Sequence, residues 1–264
     1  MSNLRYTDVD DTISRDSLFD GDLICFQRQN GYRYSIDSVL VAHFVAVRQN
    51  DRILDLGTGI GIISLILMYR WRDRIREIVG IEVQDGLAEL ARKNFHINKM
   101  ENKSRILQGD VKEIKTMIEP ESYDRVVCNP PFYSETSGRI SKNQEARLAR
   151  HQICASLEDF LRASSFAVKN GGTVTCVYPA ETIAELIIIA QRNRLEVKKL
   201  QFIYSYPHKT ATARLVLIQC LKNGGVGTEI LPPFYIYYEK NGGYSAEMQE
   251  LYKRNNEFPL ISDH

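Results

Sequence analysis

Residues 51–61, Asp-Arg-Ile-Leu-Asp-Leu-Gly-Thr-Gly-Ile-Gly, constrain the fold of this chain more than any other stretch. Ile53, Leu54 and Leu56 make a short apolar strand. Gly57, Gly59 and Gly61 follow it, and the apolar run 60–71 can then form a helix. Strand, glycine turn and helix is the opening unit of an open α/β sheet. Glycine reaches backbone angles that side chains forbid and lets a ligand approach the main chain, while the amides that start the helix face that ligand. A Gly-x-Gly alone says little. Here it is joined by two acids at strand ends: Asp55 in this strand, and Glu82 at the end of the next apolar segment, 78–82.

The rest of the chain alternates in the same way. Predicted strands cover 52–56, 78–83, 105–108, 123–128 and 173–178, and predicted helices cover 60–69, 86–98, 111–118, 157–168 and 182–193. Strand–helix alternation argues for a parallel, doubly wound sheet. Residues 195–204 and 214–221 read as two further strands joined by a loop with aromatic and basic groups. A last strand at 235–238 and a helix at 246–254 follow. Ahead of the glycine motif, 23–27 and 32–35 read as a hairpin turning at Asn30-Gly31, and 1–20 as polar and loose. A helix beginning near Ile36 is entered through Asp37 or Ser38. Asp37 either caps that helix or forms one wall of the ligand pocket, and it can do both. Asp110 follows the third strand, where it can cap the next helix.

The chain has 264 residues, enough to bury a full core as one domain: an extension over 1–36, a core over 37–221 and an appendage over 222–264. A net charge of +1 announces no global affinity for nucleic acid, so any basic face must be local. Cys25, Cys128, Cys154, Cys176 and Cys220 are scattered through apolar runs. They read as reduced thiols of a cytoplasmic protein rather than metal ligands. The amino terminus lacks an apolar signal core, the apolar stretches are too short and interrupted to span a membrane, and the histidines show no ligand spacing, so neither a membrane nor a metal is expected.

The fourth strand runs into Asn129-Pro130-Pro131-Phe132. In a doubly wound sheet this strand lies beside the first, at the point where ligands bind. An exocyclic amine is a poor nucleophile, because its lone pair is delocalised into the ring. Two acceptors aimed at its protons help to localise that pair, and the Asn129 side-chain oxygen and the Pro130 carbonyl can supply them. The prolines fix the backbone without offering a competing amide, and Phe132 offers a stacking face. Pro131 and Tyr133 continue this wall. The segment 133–150, with Arg139, Lys142, Arg147 and Arg150, reads as a basic loop placed to meet a substrate.

Gly-x-Gly-x-Gly places the third glycine too early for a dinucleotide fingerprint. Asp55-x-Gly57-x-Gly59-x-Gly61 instead resembles the first motif of class I S-adenosylmethionine-dependent methyltransferases. The resemblance implies a Rossmann-like seven-stranded sheet of order 3-2-1-4-5-7-6, its seventh strand antiparallel. It implies that Asp55 and the glycine turn hold the methionine part of the cofactor, that Glu82 accepts from the ribose hydroxyls, that Asp110 sits by the adenine, and that Asn129 borders both cofactor and substrate. With the segment Tyr-Arg-Tyr-Ser-Ile-Asp-Ser-Val-Leu at 32–40, Gly80-Ile81-Glu82 and Asn129-Pro130-Pro131-Phe132, the pattern over residues 20–220 is similar to bacterial tRNA (adenine-N6)-methyltransferases acting at position 37 of a valine tRNA. The expectation is a monomeric enzyme of that kind. The same tetrapeptide also suits guanine or adenine in ribosomal RNA, adenine in DNA, or a release-factor glutamine. A small-molecule methyltransferase acting on a hydroxyl would want a base or a metal instead, and a binding protein without turnover would not need the tetrapeptide.

Overall fold

The computed structural model describes residues 13–29, 33–132 and 155–254. Its parallel strands are β3 (Asp51–Leu56), β4 (Ile75–Glu82), β5 (Ser104–Gln108), β6 (Tyr123–Cys128) and β7 (Val168–Pro179). β8 (Leu195–Tyr204) and β9 (Leu215–Lys222) complete the core, with β9 antiparallel to both of its neighbours. The order across the sheet is β8-β9-β7-β6-β3-β4-β5. Numbered from β3, this is the expected 3-2-1-4-5-7-6.

Strands buried on both faces must be apolar on both. Period-two alternation then divides their residues between two cores. Ile53, Ile78 and Val127 join α1 (Ile36–Phe44), α2 (Ile62–Trp71) and α3 (Asp85–Ile97) on one face. Leu54, Leu56, Val79, Ile81 and Cys128 join α4 (Ile114–Met117), α5 (Leu157–Ala167) and α6 (Ile183–Arg192) on the other. The run that makes α2 is apolar nearly all round because nearly all of it is covered: residues 62–68 are buried. Asp55 and Glu82 fall on the parity of the first face, with α2 above them.

The N-terminal hairpin forms with a different partner from the one expected. Strand β2 (Leu23–Arg28) pairs with β1 (Ile13–Leu18), through a short 3-10 turn at Phe19–Gly21. Residues 33–35 form no strand, and Asn30-Gly31 lies outside the described residues. Two turn dipeptides compete in this region, Asp20-Gly21 and Asn30-Gly31, and the chain turns at the first. There Phe19 and Asp20 adopt φ of 54° and 53°, a strained choice for Phe19 that burial offsets. The Phe19 ring stacks on Tyr69 of α2, with centroids 4.3 Å apart.

Other boundaries also move. The strand expected over 173–178 begins earlier, at Val168, with Gly171-Gly172 as a bulge inside β7: Tyr123 pairs with Val168, and regular pairing resumes at Arg125 and Thr173. Residues 111–118 divide into a 3-10 turn, Val111–Glu113, and the one-turn α4. After β9 the chain climbs the edge of the sheet. β10 (Glu229–Ile230) and β11 (Phe234–Tyr235) pair parallel to β8, and α7 (Ala246–Glu250) then packs Met248 into the first-face core.

Candidate active site

The carboxyl ends of β3, β4 and β6 are adjacent, because β3 pairs with β4 on one side and β6 on the other. This is the topological switch point of the sheet, where the crevice opens. Gly57, Gly59 and Gly61 all have positive φ, 67°, 58° and 84°. A side chain at Gly57 would also meet the Phe160 ring at 3.0 Å. The loop is tied to β4 twice, by the Thr58 amide donating to the Ile81 carbonyl at 3.0 Å and the Gly59 amide donating to Glu82 Oε2 at 2.9 Å.

Asp55 is fully buried. Its Oδ2 accepts from the Thr58 hydroxyl at 2.6 Å and the Ser64 hydroxyl at 2.7 Å. Its Oδ1 is buried with no hydrogen-bond partner. Burial pushes this carboxyl up to about 6, against the pull of both hydroxyls and of the Ser64 amide. An unpaired, buried carboxylate oxygen costs free energy until a donor or a cation reaches it. Gly80 makes this arrangement possible: it pairs with Asp55 across the strands, and a Cβ there would lie 2.8 Å from the Thr58 methyl.

Glu82 is also buried, and burial raises its carboxyl. Besides Gly59 at Oε2, it accepts the Gln84 amide at Oε1, 2.9 Å away. A carboxylate has about four lone-pair directions, and those that the backbone amides leave can take a hydroxyl donor. Asp37, in the first turn of α1, is likewise raised by burial and bonded by the Ser35 hydroxyl. Three acids shifted by desolvation at one end of a sheet mark a functional site more often than a structural one. Asp110 is different: its Oδ1 accepts the Lys112 amide at 2.9 Å and its Oδ2 lies 3.3 Å from Lys112 Nζ, so it caps the 3-10 turn.

Asn129 leaves β6 on the parity that faces α1. Its side-chain amide donates to the Ser38 hydroxyl at 3.2 Å, and Ser38 is itself buried. That bond uses the NH2 side of the amide and leaves Oδ1 as the free acceptor. Pro130 is buried and Pro131 exposed. The Phe132 ring is 39 % exposed and lies nearly perpendicular to the Tyr178 ring, with centroids 5.5 Å apart.

The fold therefore gathers Asp37, Asp55, Gly57, Gly59, Gly61, Glu82, Asn129, Pro130 and Phe132 about neighbouring strand ends. Tyr133, Arg139, Lys142, Arg147 and Arg150 lie outside the described residues. Lys198 and Lys199 do not reach the crevice. Lys198 Nζ donates to the Gly225 carbonyl at 3.1 Å, and Lys199 faces Glu229 at 3.8 Å, part-way down the sheet edge. The sequence reading missed Ser38, Thr58, Ser64 and Tyr178 as parts of the site. A hydroxyl three residues after Asp55 was a usable signal, but the Ser38–Asn129 bond spans 91 positions and had none. Two surface clefts of about 320 Å³ lie elsewhere, one by the hairpin and α2, the other under the amino ends of β3 and β6. Neither is lined by Asp55, Glu82 or Asn129.

Comparison with known proteins shows a family and a fold. The family described as Methyltransferase small domain matches residues 35–185. A tRNA1(Val) (adenine(37)-N6)-methyltransferase of Shewanella baltica is 25 % identical over 222 residues, covering 84 % of this chain and 90 % of that protein. The Porphyromonas gingivalis protein of the same name is 28 % identical over 158 residues, covering 59 % and 60 %. Among solved structures, a protein described as a predicted O-methyltransferase from Agrobacterium tumefaciens superposes with a TM-score of 0.66 at 18 % identity, covering 86 % of this chain and 100 % of that one. Pyrococcus horikoshii TYW2, solved in complex with MeSAdo, superposes with a TM-score of 0.55 at 15 % identity, covering 81 % and 73 %. At those identities the likeness is one of fold.

Proposed function

The chain belongs to the methyltransferase small-domain family, with S-adenosylmethionine as its cofactor, and we propose that it methylates N6 of an adenine in transfer RNA. By similarity to the relatives so named, the target is adenine 37 of a valine tRNA. The observation that carries the reading is Asn129. At the switch point its side-chain amide donates to Ser38, which leaves Oδ1 as an acceptor, next to a buried Pro130 and a Phe132 ring that is 39 % exposed.

The site suits the cofactor. Asp55 Oδ1, orphaned and buried, would take the amino group of the methionine part, and the remaining lone pairs of Glu82 would take the ribose hydroxyls. The glycine loop would carry the chain between them, with Asp37 at its margin and Asp110 at the adenine end. The bound cofactor supplies a methyl group made electrophilic by a sulfonium. Asn129 Oδ1 and the Pro130 carbonyl accept the two amino protons of the substrate base and localise the nitrogen lone pair. Phe132 stacks on the base and fixes its plane, which aligns the nitrogen for in-line attack. Neither acceptor is basic enough to take a proton, so the extra proton of the product leaves to solvent after transfer. Pro131, Tyr133 and the basic segment with Arg139, Lys142, Arg147 and Arg150 would meet the RNA around that base. In this reading residues 37–221 catalyse, and 1–36 and 222–264 brace them, in a cytoplasmic monomer.

The test is methyl transfer from labelled S-adenosylmethionine into tRNA from a strain lacking this gene, followed by nucleoside analysis. Label in N6-methyladenosine is the expected result. No label in tRNA with cofactor binding intact would overturn the substrate and direct the assay to ribosomal RNA, DNA and release factors.

A further inference from the structure

The β8–β9 loop, residues 205–214, opens at the same end of the sheet as Asn129–Phe132. Its last residue is built into the rim: the Arg214 amide donates to the Ile203 carbonyl at 2.8 Å, and the Ala180 amide donates to the Arg214 carbonyl at 3.1 Å. Arg214 is thus anchored beside the end of β7, two residues from Tyr178, whose ring meets Phe132. The loop carries two aromatic rings in contact, Tyr206 and His208, with centroids 6.3 Å apart. The His208 ring is held by Thr210, which approaches its Nδ1 with the hydroxyl at 3.0 Å and the amide at 3.3 Å.

At the far end of the sheet several cations sit on acids, Arg52 and Arg105 on Glu77, Arg125 on Asp51, Lys169 on Asp124 and Lys222 on Glu121, while Arg76 is exposed with no ion-pair partner among the described residues. On the crevice rim Lys209 and Arg214 are exposed, and neither has an ion-pair partner among the described residues. In a chain of net charge +1, unpaired cations beside aromatic rings are a local match for a polyanion with unstacked bases. Glu185, near enough to Tyr178 to add to the effect of burial on its hydroxyl, bounds the patch on the α6 side.

We propose that the 205–214 loop is the docking rim for the single-stranded RNA that flanks the target base, with Lys209 and Arg214 on phosphates and the Tyr206–His208 pair stacked on an unpaired base. Single-stranded loops are read in this way, by stacking and by backbone charge. The inference rests on the RNA reading above and adds where the strand leaves the crevice: over β8 and β9, away from α6.

The experiment measures tRNA binding against salt for the full-length protein, the double variant Lys209→Gln/Arg214→Gln, and Tyr206→Ala. Cofactor affinity is the folding control, and Arg76→Gln, at the far end of the sheet, is the charge control. Neutralising two phosphate contacts should lower the salt slope by roughly 1.4 and weaken binding about tenfold or more. Tyr206→Ala should weaken it at least about fivefold, and Arg76→Gln should match wild type. Wild-type slope and affinity in the loop variants would overturn the rim alone. A wild-type protein that does not bind tRNA would overturn the RNA reading and the rim with it.

Discussion

At the scale of single residues, the site depends on side chains held in place by neighbours that do no chemistry. Asn129→Ala should cut turnover by at least about two orders of magnitude, the usual size for losing one positioned donor or acceptor, with cofactor affinity preserved in an equilibrium binding assay. Ser38→Ala should lower turnover in the same direction but less, since Asn129 keeps its acceptor and loses only its anchor. Ser38→Thr, which retains the hydroxyl, should restore part of it. Equal turnover in Ser38→Ala and wild type would show that the amide needs no anchor. Asp55 gives a pH signature. Its folded-state value is raised to about 6 by burial, so the folded protein favours the neutral acid. The free protein therefore loses stability as pH rises from the unfolded carboxylate range through 6. Cofactor binding runs the other way, because an ammonium prefers the ionised form. Its affinity should rise roughly tenfold between pH 5 and 7 and level off above. In Asp55→Asn both dependences should vanish from calorimetric titrations, and affinity should be low throughout.

At the scale of elements, two asparagines one turn apart, Asn94 in α3 and Asn98 capping its carboxyl end, replace a missing strand. Asn94 accepts the Phe26 amide at 2.7 Å and donates to the Phe26 carbonyl at 3.0 Å; Asn98 does the same for Ile24 at 2.9 and 2.7 Å. The free edge of β2 is thereby satisfied by a helix. Asn94 also donates to the Ile60 carbonyl at 2.9 Å, so one buried amide joins the hairpin to the glycine loop. Asn94→Leu would leave three backbone groups unpaired. It should cost about 3 kcal/mol, read as a melting temperature lower by roughly 6–12 °C. A loss under about 1 kcal/mol would mean that water replaces the amide. The core strands and the helices α1, α2 and α3 were legible because each combines a long apolar pattern with a turn or cap signal. The hairpin partner was not, since residues 13–18 are largely polar and their pairing is fixed by contacts made far away, through α3.

At the scale of the whole molecule, the tail after β9 closes the structure over α1. Tyr237, Tyr244 and Tyr252 stack in series, at 5.6 and 5.7 Å, and Arg254 reaches the hairpin turn, donating to the Asp20 carbonyl at 3.1 Å. Hairpin, tail and sheet together enclose the helix that carries Asp37 and Ser38. Met248→Ala, at a position with no exposed surface, should cost about 2–5 kcal/mol of stability. Deleting residues 229–264 should weaken cofactor binding as well as stability, because α1 loses its cover. Cofactor affinity equal to wild type in a folded truncation would limit the tail to stability.

Local chemistry written along the chain determined the fold class, the strand order implied by resemblance, and the acids and tetrapeptide of the crevice. Strand parity, glycine turns and apolar runs act over a few residues, so they can be read one segment at a time. Tertiary structure alone decided what those residues meet. It chose Ser38 as the anchor of Asn129, left Asp55 with one oxygen unpaired, and set Lys198 and Lys199 on the sheet edge. Each of these outcomes depends on which distant group arrives within hydrogen-bond distance, and that is set by packing across the whole sheet rather than by any stretch of sequence.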